Sequence, residues 1–138
     1  MLVIRNLSNG HVLAERAEMA QGLVRRMVGL LTRSALHEGE AMVFPRCRSI
    51  QTCFMRFPID VVFLKTTGNL EWKSTTPSSG LQTPPSSYYV VVKVVQALKP
   101  FRIAWAMEAD TVIELPVYTI SRTLTQVGAR LAIANQTS

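Results

Sequence analysis

The chain has 138 residues, of which 48% are hydrophobic and 17% charged, a balance that excludes a disordered protein and predicts one globular domain. A net charge of +6 favours anionic partners but carries no information about the fold. No stretch approaches the roughly 18 uninterrupted apolar residues that a membrane span needs, and the opening residues "MLVIRNLSNG" carry a charge after four residues and contain no apolar stretch of signal-peptide length. We therefore predict a cytoplasmic protein.

The first two elements are predicted to form a hairpin. The segment "LVIRNL" alternates weakly and ends at the turn signal "SNG", after which "HVLAE" resumes as a short strand. Residues 2–15 are therefore predicted to be two strands joined by a tight turn.

One amphipathic helix is predicted next. From Glu18 to Thr32, apolar residues recur at helical spacing, and the polar segment "HEGE" at 37–40 predicts a turn after the helix. The apolar stripe consists of Ala20, Leu23, Val24, Met27, Leu30 and Leu31.

The rest of the chain is predicted to be β structure. Pro58 cannot donate to a strand ladder, so it fits the start of the strand "IDVVFL", and "YYVVVKVV" at 88–95 is the run richest in β-branched residues. Many short strands around one helix predict a mainly β fold, either a β-sandwich or a small barrel-like domain. Shorter strands are predicted at "AMVF", "SIQTCFM", "RIAWAM", "TVIEL", "YTISR" and "RLAIA".

A long polar segment interrupts this pattern. Residues 73–87, "KSTTPSSGLQTPPSS", hold five Ser, three Thr and three Pro, far beyond the typical loop of about 4–6 residues. The preceding "TTGN" at 66–69 already supplies turn signals. We predict a Ser/Pro-rich hairpin insertion at about 70–90 in a single domain covering residues 1–138.

Asp60 raises the main question about function, because it lies inside the apolar run of "SIQTCFMRFPIDVVFLK". Neither face of the predicted strand is polar, so Asp60 is predicted to be buried and to need a partner. Arg56, Arg33, Arg102 or backbone N–H groups are the candidates. A structural role is favoured, and a ligand-contacting or catalytic role is the alternative.

Other polar residues extend the candidate site. Glu38 and Glu40 flank Gly39 in a predicted polar turn, and together with Asp60 they are an alternative carboxylate group for acid–base chemistry or for a cation. Ser49 and Gln51 bring a hydroxyl and an amide, although no G-x-S-x-G motif surrounds Ser49.

The two cysteines favour neither a metal nor a disulfide. Cys47 and Cys53 form no C-x-x-C motif, and one continuous strand would point both to the same face. No metal site and no cofactor are expected, and reduced thiols fit a cytoplasmic location.

The order of several segments resembles a known family. The segments are "LVRRMVGLLTRSALHEGEAMVF", "SIQTCFMRFPIDVVFL", "VVKVVQALKPFR", "DTVIELP" and "QVGARLAI". They resemble the domain of unknown function 192 family, also called UPF0127, over about residues 11–134 with a break at 70–90. The resemblance implies a compact β-rich domain with one short helix and no established reaction. Family members often have His at Gln51, an aromatic residue at Cys53, Gly at Tyr118 and Asp at Ala129.

Three functions remain open at this point. The leading hypothesis is a binding or accessory module for a polar or anionic ligand or for a protein partner, near Arg56 and Asp60. The alternatives are an enzyme that uses Asp60 with Glu40, and a weak nucleic-acid binder. Nucleic acid is disfavoured because few aromatic residues and little Gly-rich sequence accompany the arginines in the third of the chain where they cluster. The candidate ligand-binding residues are Arg33, Glu40, Ser49, Gln51, Arg56 and Asp60.

Overall fold

The computed structural model describes residues 2–20, 36–53, 55–68 and 87–135. Within these ranges the fold is mainly β, as predicted. The order is β1 (Leu2–Asn6), β2 (Val12–Met19), β3 (Glu40–Pro45), β4 (Ser49–Gln51), β5 (Ile59–Gly68), β6 (Ser87–Leu98), β7 (Ile103–Trp105), β8 (Thr111–Pro116), α1 (Thr119–Thr123) and β9 (Arg130–Asn135).

Seven strands close into a barrel in the order β1-β2-β3-β8-β5-β6-β9, and β9 returns to pair with β1. The pairings are antiparallel except that of β2 with β3, which is parallel. A parallel pair needs a crossover connection, and here the connection contains residues 21–35, which lie outside the described ranges. Closure leaves no barrel strand with a free edge. Of the two predicted architectures, the barrel is therefore the one observed, rather than the sandwich.

Two clusters of buried side chains stabilise this arrangement. The first fills the barrel interior with side chains from all seven strands, including Ile4, Val62 and Leu131. The second lies on the outer face of β3, β8 and β5, where β4 and β7 form a separate two-stranded sheet that contributes Ala104. Successive side chains of a strand point to opposite faces, so β5 serves both clusters, with Val62 inside and Val61 outside.

The N-terminal predictions have mixed outcomes. The hairpin over residues 2–15 is confirmed, because β1 and β2 pair antiparallel. The helix predicted from Glu18 is wrong at its start, because Glu18 and Met19 end β2 and pair with β3. Ala20, the first residue of the predicted stripe, is also not helical, and its N–H donates to the Val43 carbonyl at 2.8 Å. The rest of the predicted helix, including the stripe from Leu23 to Leu31, falls in residues 21–35, outside the described ranges.

The turn predicted at 66–69 is also corrected. Strand β5 continues through Gly68, which lies opposite Ser87 of β6 in an antiparallel pair. Residues 69–86 lie outside the described ranges, and the hairpin insertion at about 70–90 stays a prediction.

The segment "YTISR", predicted as a strand, forms α1 instead. Its β-branched residues favour a strand locally, but contacts from the barrel decide otherwise. Thr119 Oγ1 donates to the Pro116 carbonyl at 2.8 Å, and the Ile120 N–H donates to Asp60 Oδ2 at 2.9 Å. A helix this short has little stability of its own, so these contacts hold it in place.

Tyr118, at the boundary of α1, provides a first test of this local structure. It adopts a left-handed φ of 75° where the family resemblance implies glycine, and its side chain is 76% exposed. Left-handed backbone disfavours a side chain by about 1–2 kcal/mol, partly offset by the greater unfolded-state freedom of glycine. Tyr118→Gly should therefore raise the free energy of unfolding in denaturant by roughly 0.5–1 kcal/mol.

The control for this measurement is Val127→Gly. Val127 is also well exposed, at 61%, but its φ is not positive. Glycine there only adds unfolded-state entropy and should lower the free energy of unfolding. A loss of stability in both variants would show that the left-handed backbone at Tyr118 carries no strain.

Candidate functional site

A row of exposed apolar side chains runs along β7. Phe101, Ile103, Trp105 and Met107 are 55–69% exposed, whereas Ala104 between them is buried. Ile103 and Trp105 point to one face of the strand, and Phe101 and Met107 lie two residues beyond them in the chain, in the turns at its two ends. Single exposed apolar residues are ordinary, whereas these four lie close together in the chain around one short strand. We call these four residues the β7 row.

Two of the candidate site residues lie beside the β7 row. In the antiparallel pair of β4 with β7, Ser49 lies opposite Trp105 and Gln51 lies opposite Ile103. Directly opposite residues share a face, and both polar side chains are exposed. The outer surface of this sheet, which we call the β4–β7 face, thus combines an apolar row with a hydroxyl and an amide.

Thr52, at the end of β4, fixes the turn that carries Phe101. Its side chain is fully buried; Oγ1 donates to the Lys99 carbonyl at 2.7 Å and accepts from the Arg102 N–H at 2.9 Å. Its backbone carbonyl accepts from the Phe101 N–H at 2.8 Å. These bonds hold Phe101 at a left-handed φ of 62°, so this end of the row is ordered before any partner arrives.

Lys93 of β6 fixes Trp105 from the barrel side. Its Nζ donates to the Trp105 carbonyl at 2.8 Å and lies 5.7 Å from the centre of the indole and 5.8 Å from the ring of Phe63. A cation at this distance is attracted by an aromatic ring. The contact restrains the backbone and side chain of Trp105 and places positive charge at the edge of the β7 row.

The surroundings of the β4–β7 face are basic. Residues 46–56 and 93–108, which include β4, the end of β6 and β7, hold six basic residues and one acidic residue, Glu108. A second acidic residue, Asp110, contacts the first segment through its carbonyl, which accepts the Cys47 N–H. All six basic residues except Lys93 have exposed side chains, so their charge reaches solvent. Such a surface attracts anionic partners. The basic residues are Arg46, Arg48, Arg56, Lys93, Lys99 and Arg102.

Asp60 is not on this face, because its side chain is buried and only 1% exposed. Oδ1 accepts from the Ala97 N–H and Oδ2 accepts from the Ile120 N–H, both at 2.9 Å. Backbone N–H groups are therefore the partners, as one predicted alternative held. No arginine contacts Asp60 among the described residues, where Arg56 and Arg102 are both exposed.

Glu40 stabilises a different part of the fold from Asp60. It begins β3, and its Oε1 accepts from the His37 N–H at 2.9 Å across the turn at Gly39. None of the described contacts joins Glu40 to Asp60. Arg33 falls outside the described ranges, so the candidate residues are divided between the β4–β7 face, the barrel interior and the turn before β3.

An open groove of about 500 Å³ lies near that turn, and its lining includes neither Glu40 nor Asp60. Arg122 Nε and Glu38 Oε2 approach to 3.5 Å in it, with both side chains well exposed. Exposed ion pairs contribute little, so this one does not define a site. The remaining charged or titratable lining residues are His11 and Glu15.

Glu114 is the buried carboxylate that the sequence reasoning missed. It lies on β8 opposite Met42 and Val61, is 2% exposed, and its Oε1 has no hydrogen-bond partner among the described residues. Burial raises the pKa of Glu114 from 4.5 to about 8. The available signal was the one used for Asp60, a carboxylate inside an apolar strand.

The thiols and the acidic groups form no metal centre in the part of the chain that is described. There, Cys47 and Cys53 are both free, and no three His, Cys, Asp or Glu side chains come together. Cys47 Sγ donates a hydrogen bond to the carbonyl of Ser49, the first residue of β4, at 3.0 Å. Over the same ranges, no helix is long and apolar enough to cross a membrane.

Comparison with known proteins places the chain by family and by fold. It matches DUF192, described as "Uncharacterized ACR, COG1430", over residues 4–133. A putative transcription regulator from Sinorhizobium meliloti 1021 is 19% identical with a TM-score of 0.67, and the match covers 95% of this chain and 90% of that one. A protein of unknown function from Novosphingobium aromaticivorans DSM 12444 is 18% identical with a TM-score of 0.65, covering 95% and 82%. No curated protein matches.

Proposed function

The chain belongs to the DUF192 family, for which no reaction is described, and from its own surface we propose that it is a binding module that holds a partner protein on the β4–β7 face. The observation that carries this proposal is the β7 row, four large apolar side chains that the described fold leaves open to solvent. Aromatic residues and Met are enriched in protein interfaces, and the β7 row contains both, while the exposed residues Arg48 and Arg102 directly precede β4 and β7 in the chain.

Support also comes from what the two candidate carboxylates, buried Asp60 and partly exposed Glu40, do. Both oxygens of Asp60 are taken by backbone N–H groups, and an oxygen of Glu40 accepts the His37 N–H. Neither arrangement resembles an acid–base pair aimed at a substrate, so the enzyme that would use Asp60 with Glu40 gains no support from the described contacts.

A peptide library displayed on phage tests this function. Wild-type protein should enrich peptides whose affinity falls about thirty-fold or more with Trp105→Ser, because a central aromatic anchor typically contributes about 2 kcal/mol or more. The substituted residue is 55% exposed, so the variant should fold as wild type does, which thermal unfolding checks.

The matched control is Val127→Ser, which removes an exposed apolar side chain outside the β4–β7 face. The selected peptides should bind this variant as they bind wild type. Failure to enrich any peptide, or equal losses in the two variants, would contradict a binding function of the β4–β7 face.

A further inference from the structure

We infer that the partner docks as an extended, acidic segment that adds a strand to the free edge of β7. This inference rests on the proposed function and adds the chemistry and the backbone geometry of the bound segment.

The hydrogen bonds of β7 show which backbone groups are free. The Thr52 N–H donates to the Arg102 carbonyl, and the Ala106 N–H donates to the Arg48 carbonyl, both at 2.9 Å. In an antiparallel ladder, alternate residues direct their backbone groups to the same neighbour. Positions 102, 104 and 106 therefore face β4, and the backbone groups of Ile103 and Trp105 point to the opposite edge.

On that opposite edge, β7 has no neighbouring strand among the described residues. The Trp105 carbonyl accepts from Lys93 Nζ, but none of the described contacts uses the N–H or the carbonyl of Ile103. An unpaired edge of this kind is a template for another strand. A segment that pairs there would bond Ile103 through its backbone and lay alternate side chains beside the β7 row.

The charges select the composition of the segment. Arg48 and Arg102, both exposed, directly precede β4 and β7 in the chain, and Lys93 Nζ reaches the edge of β7 at the Trp105 carbonyl. Alternating apolar and acidic side chains would place apolar groups against the β7 row and carboxylates near these cations. A second copy of this chain is a poor occupant, because two molecules of charge +6 repel each other.

A lipid surface also fits this edge poorly. Apolar and basic residues together would suit an anionic membrane, but hydrocarbon cannot satisfy the backbone groups of an open strand edge. A peptide backbone satisfies those groups. The unused N–H and carbonyl of Ile103 therefore favour an extended peptide over lipid.

Backbone methylation of a synthetic peptide tests the strand geometry. The probe is a peptide of about nine residues in which Ile alternates with Glu. N-methylation at every second residue in one register should lower its affinity about ten-fold or more, while methylation in the other register should have a much smaller effect. Only one set of the peptide's N–H groups faces β7, so equal losses of affinity in the two methylation registers would overturn the inference.

The charge of the peptide and the salt concentration test the composition proposed for the bound segment. Replacing every Glu of the peptide by Lys should lower affinity at least about ten-fold at low salt, and the difference should shrink between about 0.05 M and about 0.5 M salt. Tighter binding of the Lys peptide would overturn the inference. So would Trp105-dependent binding to phosphatidylserine vesicles without peptide binding, or a Trp105-dependent dimer of the protein alone in sedimentation.

The failures of the two proposals can be told apart. One contrary result is a set of selected peptides that depend on Trp105 and yet are basic, and another is a set that bind equally after methylation in either register. Either result would refute the acidic added strand but would still support a binding function of the β4–β7 face. The absence of any Trp105-dependent peptide would refute both.

Discussion

Glu114→Gln should flatten the pH dependence of stability between about pH 5 and pH 8. The pKa of Glu114 is near 8 in the folded protein and near 4.5 when the residue is exposed. Between these values the folded state holds a proton that the unfolded state has lost. The free energy of unfolding should therefore fall as pH rises, by at most about 1.4 kcal/mol per pH unit and roughly 3–5 kcal/mol in total.

The sign follows from the group that is buried. Below the unfolded pKa, both states carry the proton, and Glu114 adds no pH dependence. Above the folded pKa both states have lost it, and the destabilisation reaches its full value. Gln does not titrate, so the variant should equal or exceed wild type in stability at pH 8 and lack this slope.

Denaturant unfolding from pH 5 to pH 9 measures the effect. Glu108→Gln is the matched control, because it removes an exposed carboxylate close to β8 in the chain. This control should retain the wild-type slope, and other titrating groups cancel in the comparison. Parallel curves for wild type and Glu114→Gln would mean that the carboxylate is solvated in the folded state.

The sequence contained enough information to predict that Asp60 is buried, but not its partners. The neighbours of Asp60 in "IDVVFL" are apolar on both faces of the strand, so neither face is polar. This can be read from the local sequence alone. Its two donors, Ala97 and Ile120, lie 37 and 60 residues away along the chain, and barrel closure brings them near. The same local reasoning applied to "TVIEL" would have found Glu114, since all six residues of β8 are buried.

The β7 row shows a different limit of sequence reasoning. Alternate large apolar residues at "FRIAWAM" predict a strand whose apolar face is buried. The structure instead buries Ala104, whose small side chain lets β7 lie close to the outer barrel wall, and leaves the larger residues in solvent. Period-two alternation identifies the two faces of a strand. Which face is covered depends on the layer that β4 and β7 form.

Asp60→Asn should destabilise the protein by roughly 3 kcal/mol, because hydrogen bonds to a charged group contribute about 1.5–3 kcal/mol each. Asn keeps the shape of the side chain but replaces one acceptor oxygen by an NH2 group. Whichever way the amide turns, that NH2 faces the N–H of Ala97 or of Ile120, and a buried donor is left without an acceptor. Denaturant unfolding beside wild type measures the loss.

Two structural features depend on the hydrogen bonds that Asp60 accepts. Ala97 adopts a left-handed φ of 53° in the irregular stretch of β6 opposite Asp60, a conformation that disfavours a residue with a side chain by about 1–2 kcal/mol. The Ile120 N–H lies in the first turn of α1, which has no side-chain cap from its own boundary residue. Asp60 thus joins β6 to α1 across the barrel end, and its loss should loosen both.

Asp110→Asn is the matched control for this measurement. Asp110 also accepts a backbone N–H, that of Thr66 at 3.0 Å, together with the hydroxyls of Thr66 and Thr111, but it is only partly buried, so water can replace a lost bond. Its loss should be smaller, at about 1 kcal/mol. An Asp60→Asn variant as stable as wild type or more stable would overturn the structural role, because carboxylates kept for function are often held at the expense of stability. In that case, the barrel end between Ala97 and Ile120 would replace the β4–β7 face as the first place to look for a ligand.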